Sequence, residues 1–325
     1  MTAPEVEVRV PRMRYDITMP LMEGKVQVPG LRLVVGPPVQ GTVMAADSPL
    51  ATGDFGLVDL NMGNLLPAIE AGWEIVGLPV FSKRKPVYTY IFCRADRGIE
   101  SPKDLEGKRV AAGRYRSSIT IWLRGLLQHH YGVDMRTLTW VVFAGELFPI
   151  YADEAKIEMA ADPKKGPFAS LLDGDVDAIM TDISDGEMFR TLEGDPRVKR
   201  LFPDYVAEDR RLYKETGIYT PVHIIGMSKK LDREHPEVAG LVYTAFERAK
   251  EVATKEILDD RGGLGIMNMR ERLEEQLRDW GDLFPYGVTA NKVTIDTYND
   301  YTVEQGMVRS SYEYEQMFAA STLDT

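Results

Sequence analysis

A chain of 325 residues, 44% hydrophobic and 27% charged, is a globular sequence long enough for two domains. Its net charge of −11 argues against non-specific attachment to nucleic acid or to anionic membranes, so an anionic ligand needs a locally positive pocket. The single cysteine excludes an internal disulfide, and no apolar run reaches transmembrane length. Cys93 lies in an apolar run and reads as a buried thiol. No CxxC or HExxH spacing suggests a zinc site. The first residues, MTAPEVEVRV, lack a basic segment followed by an apolar one, which reads as a cytoplasmic protein.

In chain order, residues 5–14 alternate as a first strand and 16–24 form a short helix limited by Pro20. Residues 31–36 are a second strand. The apolar run 55–60 (FGLVDL) is a third, reaching Asp59, and a helix follows over 65–71. Strands are expected at 74–81 and 87–94. Residues 101–107 (SPKDLEG) form a capped turn with Ser101 at the cap and Pro102 at the first position. The strand 108–112 feeds the most organised stretch, 113–133 (GRYRSSITIWLRGLLQHHYGV). There Ile119, Trp122, Leu123, Leu126 and Leu127 make an apolar stripe, while Ser117, Thr120, Arg124 and Gln128 make a polar one. Ser117 or Ser118 caps this helix, and Arg114 and Arg116 stand just before its first turn. A helix N-terminus flanked by arginines suits an acidic small molecule.

Further strands are expected at 138–143, 176–181 and 222–227, and helices at 167–172, 235–258, 269–280 and 291–305. The alternation implies α/β sheets with mainly parallel strands. The glycine-rich break 261–265 (RGGLG) follows a helix, which makes it a loop rather than a phosphate cradle.

Several phrases then resemble one family in order and spacing: YDITMPLMEGKVQVPGLRL, GKRVAAGRYRSSITIWLRGLLQHHYGV, LLDGDVDAIMTD, RVKRLFPD, TGIYTPVHIIGM, FPYGVTAN and MFAASTLD. They resemble the 4,5-dihydroxyphthalate decarboxylase family, which uses the type II periplasmic-binding-protein fold. The resemblance implies an α/β architecture of two lobes with a ligand cleft between them. Residues 1–111 and 226–325 would form lobe 1 and residues 112–225 lobe 2, hinged to close on the ligand. It implies a cofactor-independent decarboxylase of a hydroxylated aromatic acid of phthalate or benzoate type. The partner is a small aromatic carboxylate, with no nucleic acid and no membrane, and a homo-oligomer is left open. The alternative is a non-catalytic solute-binding protein for a small aromatic or carboxylate ligand. The chain departs from the family pattern at Asp59, Tyr88, Arg114, Arg116 and residues 183–185, positions that the resemblance puts along the cleft.

Such a reaction needs a grip on the carboxylate and an acid for the vacated ring carbon. Arg84, Arg114, Arg116 and Arg124, with the Ser117–Ser118 turn, are the expected grip. Tyr88 and Tyr115 are expected to stack on the ring or hydrogen-bond it. Asp59, if burial raises its pKa, and His223, an imidazole that can shuttle protons, are the expected donors. Asp182 and Asp185 are candidates for a ligand hydroxyl. Two acids alone fall short of a metal site, so no metal ligand is assigned, although a divalent metal is left open.

Overall fold

The computed structural model describes residues 5–37, 45, 47–183, 186–259 and 265–325. Among them are strands β1 (Val6–Val10), β2 (Leu31–Val35), β3 (Leu57–Asn61), β4 (Ile75–Arg84), β5 (Ile91–Arg94), β6 (Arg109–Ala112), β7 (Thr139–Val142), β8 (Lys156–Met159), β9 (Ala178–Met180), β10 (Val198–Arg200) and β11 (Pro221–Ser228). They form two lobes. In the first, β3, β11 and β4 make an antiparallel sheet in that order, beside the parallel pair β1–β2. The long helix Val238–Leu258 closes this lobe's core, burying Val242, Ala245 and Phe246 in one cluster with Val8, Leu78 and Ile225. In the second lobe six strands run in the order β10-β5-β9-β6-β7-β8. β6 pairs in parallel with β7 and β9, and β7 with β8, whereas β5 and β10 pair antiparallel.

The sheets divide the chain differently from the expected boundaries. β5 and β6 belong to the second sheet through β9, and the whole of β11 belongs to the first. The chain therefore crosses between lobes just after β4 and again just before β11, not at 111/112 and 225/226. Short apolar strands such as IFCR and RVAA carry no mark of their partners, so their pairing was not readable locally. The expectation of mainly parallel strands holds for the β1–β2 pair and for β9-β6-β7-β8 of the second sheet, whereas β3-β11-β4 and the β10-β5-β9 side are antiparallel. Helices Gly186–Gly194 and Tyr205–Thr216, and the short strands β8 and β10, were not anticipated.

β4 is buried almost throughout, which explains its unbroken apolar run before the basic ending SKRK. The helix Ser118–Tyr131 forms as the sequence indicated. Ser117 is its N-cap, accepting from the Thr120 N–H at 3.3 Å, and Gly132 ends it with a left-handed φ of 64°. The middle of its polar stripe is not solvated, because Thr120 and Arg124 are buried along with the apolar one, and only Gln128 of that stripe is exposed. A second helix, Lys292–Glu304, lies against it, with the Trp122 and Tyr298 rings 5.0 Å apart. At Gly125 a Cβ would fall 2.1 Å from the Tyr301 ring, so only glycine permits this approach. Gly125→Ala should therefore lower stability by about 1–3 kcal/mol in urea unfolding, overpacking outweighing a helix-propensity gain of about 1 kcal/mol. Equal or greater stability would contradict this helix contact.

Candidate functional site

Three neighbouring strands of the first lobe bring one polar side chain each to a common point. Asp59 comes from β3, Ser82 from β4 and His223 from β11. The pairing of β11 with β4 is irregular on both sides of His223. Such bulges re-aim a side chain and recur beside functional sites. The Asp59 Oδ2 accepts from Tyr15 OH at 2.6 Å and lies 3.0 Å from His223 Nδ1, while its Oδ1 accepts from Ser82 Oγ at 2.6 Å. Tyr15 OH is also 3.2 Å from His223 Nδ1. Tyr15 reaches the group from the turn before Asp16–Thr18.

Burial alone would push the Asp59 carboxyl up, but the hydrogen bond and charge of His223, with the hydroxyls of Ser82 and Tyr15, hold it below the usual carboxylate range. This corrects the expectation that burial keeps a proton on Asp59. An ionised carboxylate only accepts, so His223 must donate from Nδ1, which leaves Nε2 as its other reactive nitrogen. The Tyr15 hydroxyl is pushed far up by its burial and by the Asp59 charge, so it stays protonated.

Two lysines, Lys83 at the end of β4 and Lys85 just past it, lie near this group. Lys83 is the register partner of His223, and its Nζ lies 5.7 Å from the Tyr15 ring centre. Burial and the neighbouring Lys85 charge pull its ammonium down from the usual lysine range. Lys85 Nζ donates to Asp182 Oδ1 at 2.5 Å and sits 5.0 Å from the Tyr90 ring centre. Burial opposes the Lys85 charge, but the Asp182 carboxylate outweighs it and raises that pKa. Asp182 follows β9, so this ion pair spans the two lobes. The N-terminus of helix Ser118–Tyr131 meets the same rim: Ser118 N–H donates to Asn61 Oδ1 at 3.1 Å, and Ser118 Oγ to the Val222 carbonyl at 2.8 Å.

Of the expected site residues, Asp59, His223 and Asp182 come together here. Ser117 and Ser118 lie at the rim, but their hydroxyls are spent on the cap and the Val222 carbonyl. The expected arginine grip is not formed. Arg84 is buried, giving Nη1 to the Tyr219 carbonyl at 2.6 Å and Nη2 to the Pro285 carbonyl at 2.9 Å and Asn291 Oδ1 at 2.5 Å. Burial pulls its guanidinium down to about 10, still charged at neutral pH. Arg114 is exposed and donates to the Gly145 carbonyl. Arg116 is buried against Phe148, donating to the Phe148 and Pro149 carbonyls at 2.9 and 2.6 Å. Arg124 lies under Tyr115, its Cζ 3.7 Å from that ring's centre. Tyr88 packs into the second lobe against Phe202 and Tyr131. All these side chains were read as ligand contacts because charge and aromaticity near a helix start look alike whether they face a cleft or a core. Asp185 and residues 261–264 of the glycine-rich break lie outside the described residues. Among the described residues no group of three or more His, Cys, Asp or Glu is placed to hold a metal ion, and no helix is long and apolar enough to cross a membrane.

Sequence reasoning missed Tyr15, Ser82, Lys83, Lys85 and Tyr90. The available signal was the basic run SKRK ending an otherwise apolar strand, with a tyrosine just ahead of DITMPL.

Comparison with known proteins agrees with this architecture. A 4,5-dihydroxyphthalate decarboxylase from Comamonas testosteroni is 26% identical over 329 residues, covering 96% of each chain. The chain is similar to that decarboxylase along nearly its whole length, and its fold is of the type II periplasmic-binding-protein kind. A second protein of that name, from Pseudomonas putida, is 30% identical over 128 residues, 39% of this chain and 49% of the relative. The family model described as NMT1/THI5 like matches residues 30–164. Among solved structures, the periplasmic sulfonate-binding protein SsuA from Methylobacillus flagellatus has a TM-score of 0.54 at 13% identity, covering 98% of this chain and 92% of that one. The aliphatic sulphonate binding protein SsuA from Escherichia coli has a TM-score of 0.53 at 16% identity, covering 97% and 92%. These two likenesses show the fold.

The lowered Asp59 pKa has a consequence for acid stability. The unfolded chain binds the proton more readily, so stability rises with pH across the interval between the two pKa values. The contribution is complete above about pH 4, the ordinary aspartate value, and is lost as pH falls through the lower folded value. Asp59→Asn removes it, so the variant's thermal midpoint should fall less steeply than the wild type's between about pH 5 and pH 3. Parallel curves would contradict the assigned charge state.

Proposed function

We propose that the chain is a decarboxylase of a hydroxylated aromatic acid, working at the Asp59–His223 group in the cleft. The observation that carries this reading is the Asp59 carboxylate fixing His223 through Nδ1, 3.0 Å away, beside the ammonium of Lys83. The similarity to one protein named as a 4,5-dihydroxyphthalate decarboxylase over 96% of the chain supports it. The two lysines take the part first expected of arginines. Lys83 attracts the substrate carboxylate, and Lys85 is held by Asp182 at the lobe boundary.

The ring hydroxyl supplies electrons to the carbon that bears the leaving carboxylate. His223, as imidazolium, gives its Nε2 proton to that carbon. The pair of the breaking carbon–carboxylate bond returns to the ring as CO₂ departs, and the neutral imidazole regains a proton from solvent. Asp59 keeps the ring's tautomer and direction, and Ser82 and Tyr15 keep Asp59 ionised and in place. A positioned acid of this kind contributes ~10²–10⁴-fold. The reading calls on no cofactor, the hydroxyl acting as the electron source.

The test is incubation with a panel of hydroxylated benzoic and phthalic acids in deuterated water, following CO₂ and the product ring. The reading expects CO₂ with one deuterium at the vacated carbon. His223→Gln should lower turnover by ~10²-fold or more while substrate still binds. Lys83→Ala should weaken binding by about tenfold or more, equivalent to about 1.4 kcal/mol. Binding without CO₂ release across the whole panel would instead make this a solute-binding protein.

A further inference from the structure

We propose a second ligand site in the second lobe, behind helix Ser118–Tyr131, for a small monocarboxylate with a neutral or cationic tail. A cavity of about 760 Å³ lies there, with Tyr115, Arg124, Gln128, Tyr151 and Gln305 in its wall. That is a usual size for a small-molecule site. None of Tyr15, Asp59, Ser82, Lys83 or His223 lines it, so it is separate from the cleft group.

Arg124 is the decisive residue. Only 1% of it is exposed, yet one donor group is unmet. Its Nε donates to Gln305 Oε1 at 2.7 Å and its Nη1 to the Tyr115 carbonyl at 2.8 Å. Its Nη2 has no hydrogen-bond partner among the described residues. The Tyr115 ring covers the guanidinium, and the Trp140 ring centre is 5.1 Å away. Gln305 is itself held, donating from Nε2 to the Ile121 carbonyl at 3.0 Å. The guanidinium is thus held by Gln305 and the Tyr115 carbonyl in the cavity wall, with Nη2 its one nitrogen unpaired among the described residues. Buried charge with an unmet donor is costly unless an acceptor completes it, and an anionic oxygen is the acceptor it favours most.

The rim limits what else the ligand carries. Asp134, Asp153, Glu154 and Glu304 stand around the mouth, against one further cation, Arg136. Arg136 is committed to Asp134 at 2.9 Å and Glu154 at 3.5 Å. A dianion would meet net repulsion there, whereas an ammonium tail would be attracted. The cleft, with Lys83 and Lys85, has the opposite preference, so the two sites sort ligands by charge.

Calorimetry with benzoate, phthalate and 4-(aminomethyl)benzoate tests this on the full chain carrying Lys83→Ala, which weakens the cleft. Benzoate and 4-(aminomethyl)benzoate should bind at one site, with phthalate at least about tenfold weaker, or about 1.4 kcal/mol. Gln128 is exposed at the mouth, and Gln128→Trp puts an indole across it. That change should abolish this binding while leaving CO₂ release by the otherwise wild-type protein unchanged. Arg124→Lys should weaken binding by a similar factor, and if that variant fails to fold, the Gln128→Trp result decides. Absence of monocarboxylate binding, indifference to Gln128→Trp, or phthalate binding as tightly as benzoate would each overturn the proposal.

Discussion

The Asp59 carboxylate is charged, largely buried and completed by groups from three other segments of the first lobe. A buried carboxylate is tolerated only when its lone pairs are met, and here Ser82, Tyr15 and His223 meet them from two further strands and a turn. Each of those partners is placed by the same constraint. Ser82 must face Asp59 from within the buried β4, His223 must sit at an irregular point of β11, and Tyr15 must turn inward after β1. The second lobe then docks its own elements on this rim through Asn61, Val222 and the Lys85–Asp182 pair.

The arginines and the lysines divide the work. Arg84, Arg116 and Arg124 are nearly fully buried, and the hydrogen bonds they do make go to backbone carbonyls and amide side chains. They hold segments together that no sheet joins: Arg84 ties the end of β4 to Tyr219, Pro285 and Asn291, and Arg116 ties the helix start to the loop at Phe148. The lysines stay partly exposed in the cleft, where a compact charge can move with a ligand. The helix Lys292–Glu304, packed on Ser118–Tyr131, adds a third link between the lobes besides the two crossovers. Any closing motion has to carry that helix with the second lobe or slide the two helices past each other.

Much of this fold was legible along the chain. The capped helix after β6, the turn at Ser101 and the strand pairs around β3 and β4 follow from periodicity and capping residues that act within a few positions. Asp59 and His223 were legible as candidates because each interrupts an apolar strand. Their mutual contact was not, since it depends on β11 returning between β3 and β4 from 164 residues away. Arg84, Arg116 and Arg124 were misread for the same reason. Whether a guanidinium faces a cleft or a carbonyl of a distant loop is decided by tertiary pairing, and the partners of Arg84 lie more than 130 residues further on. The lobe boundaries failed where two short apolar strands could have joined either sheet.

The most direct measurement is a crystal structure of the His223→Gln protein with a hydroxylated phthalic acid bound. The account predicts one substrate carboxylate against Lys83, and the ring carbon bearing the leaving carboxylate within about 3–3.5 Å of the position of the His223 Nε2, a near-attack distance. Substrate seated away from the Asp59 group, or held by Arg84 or Arg124 instead of the lysines, would contradict it.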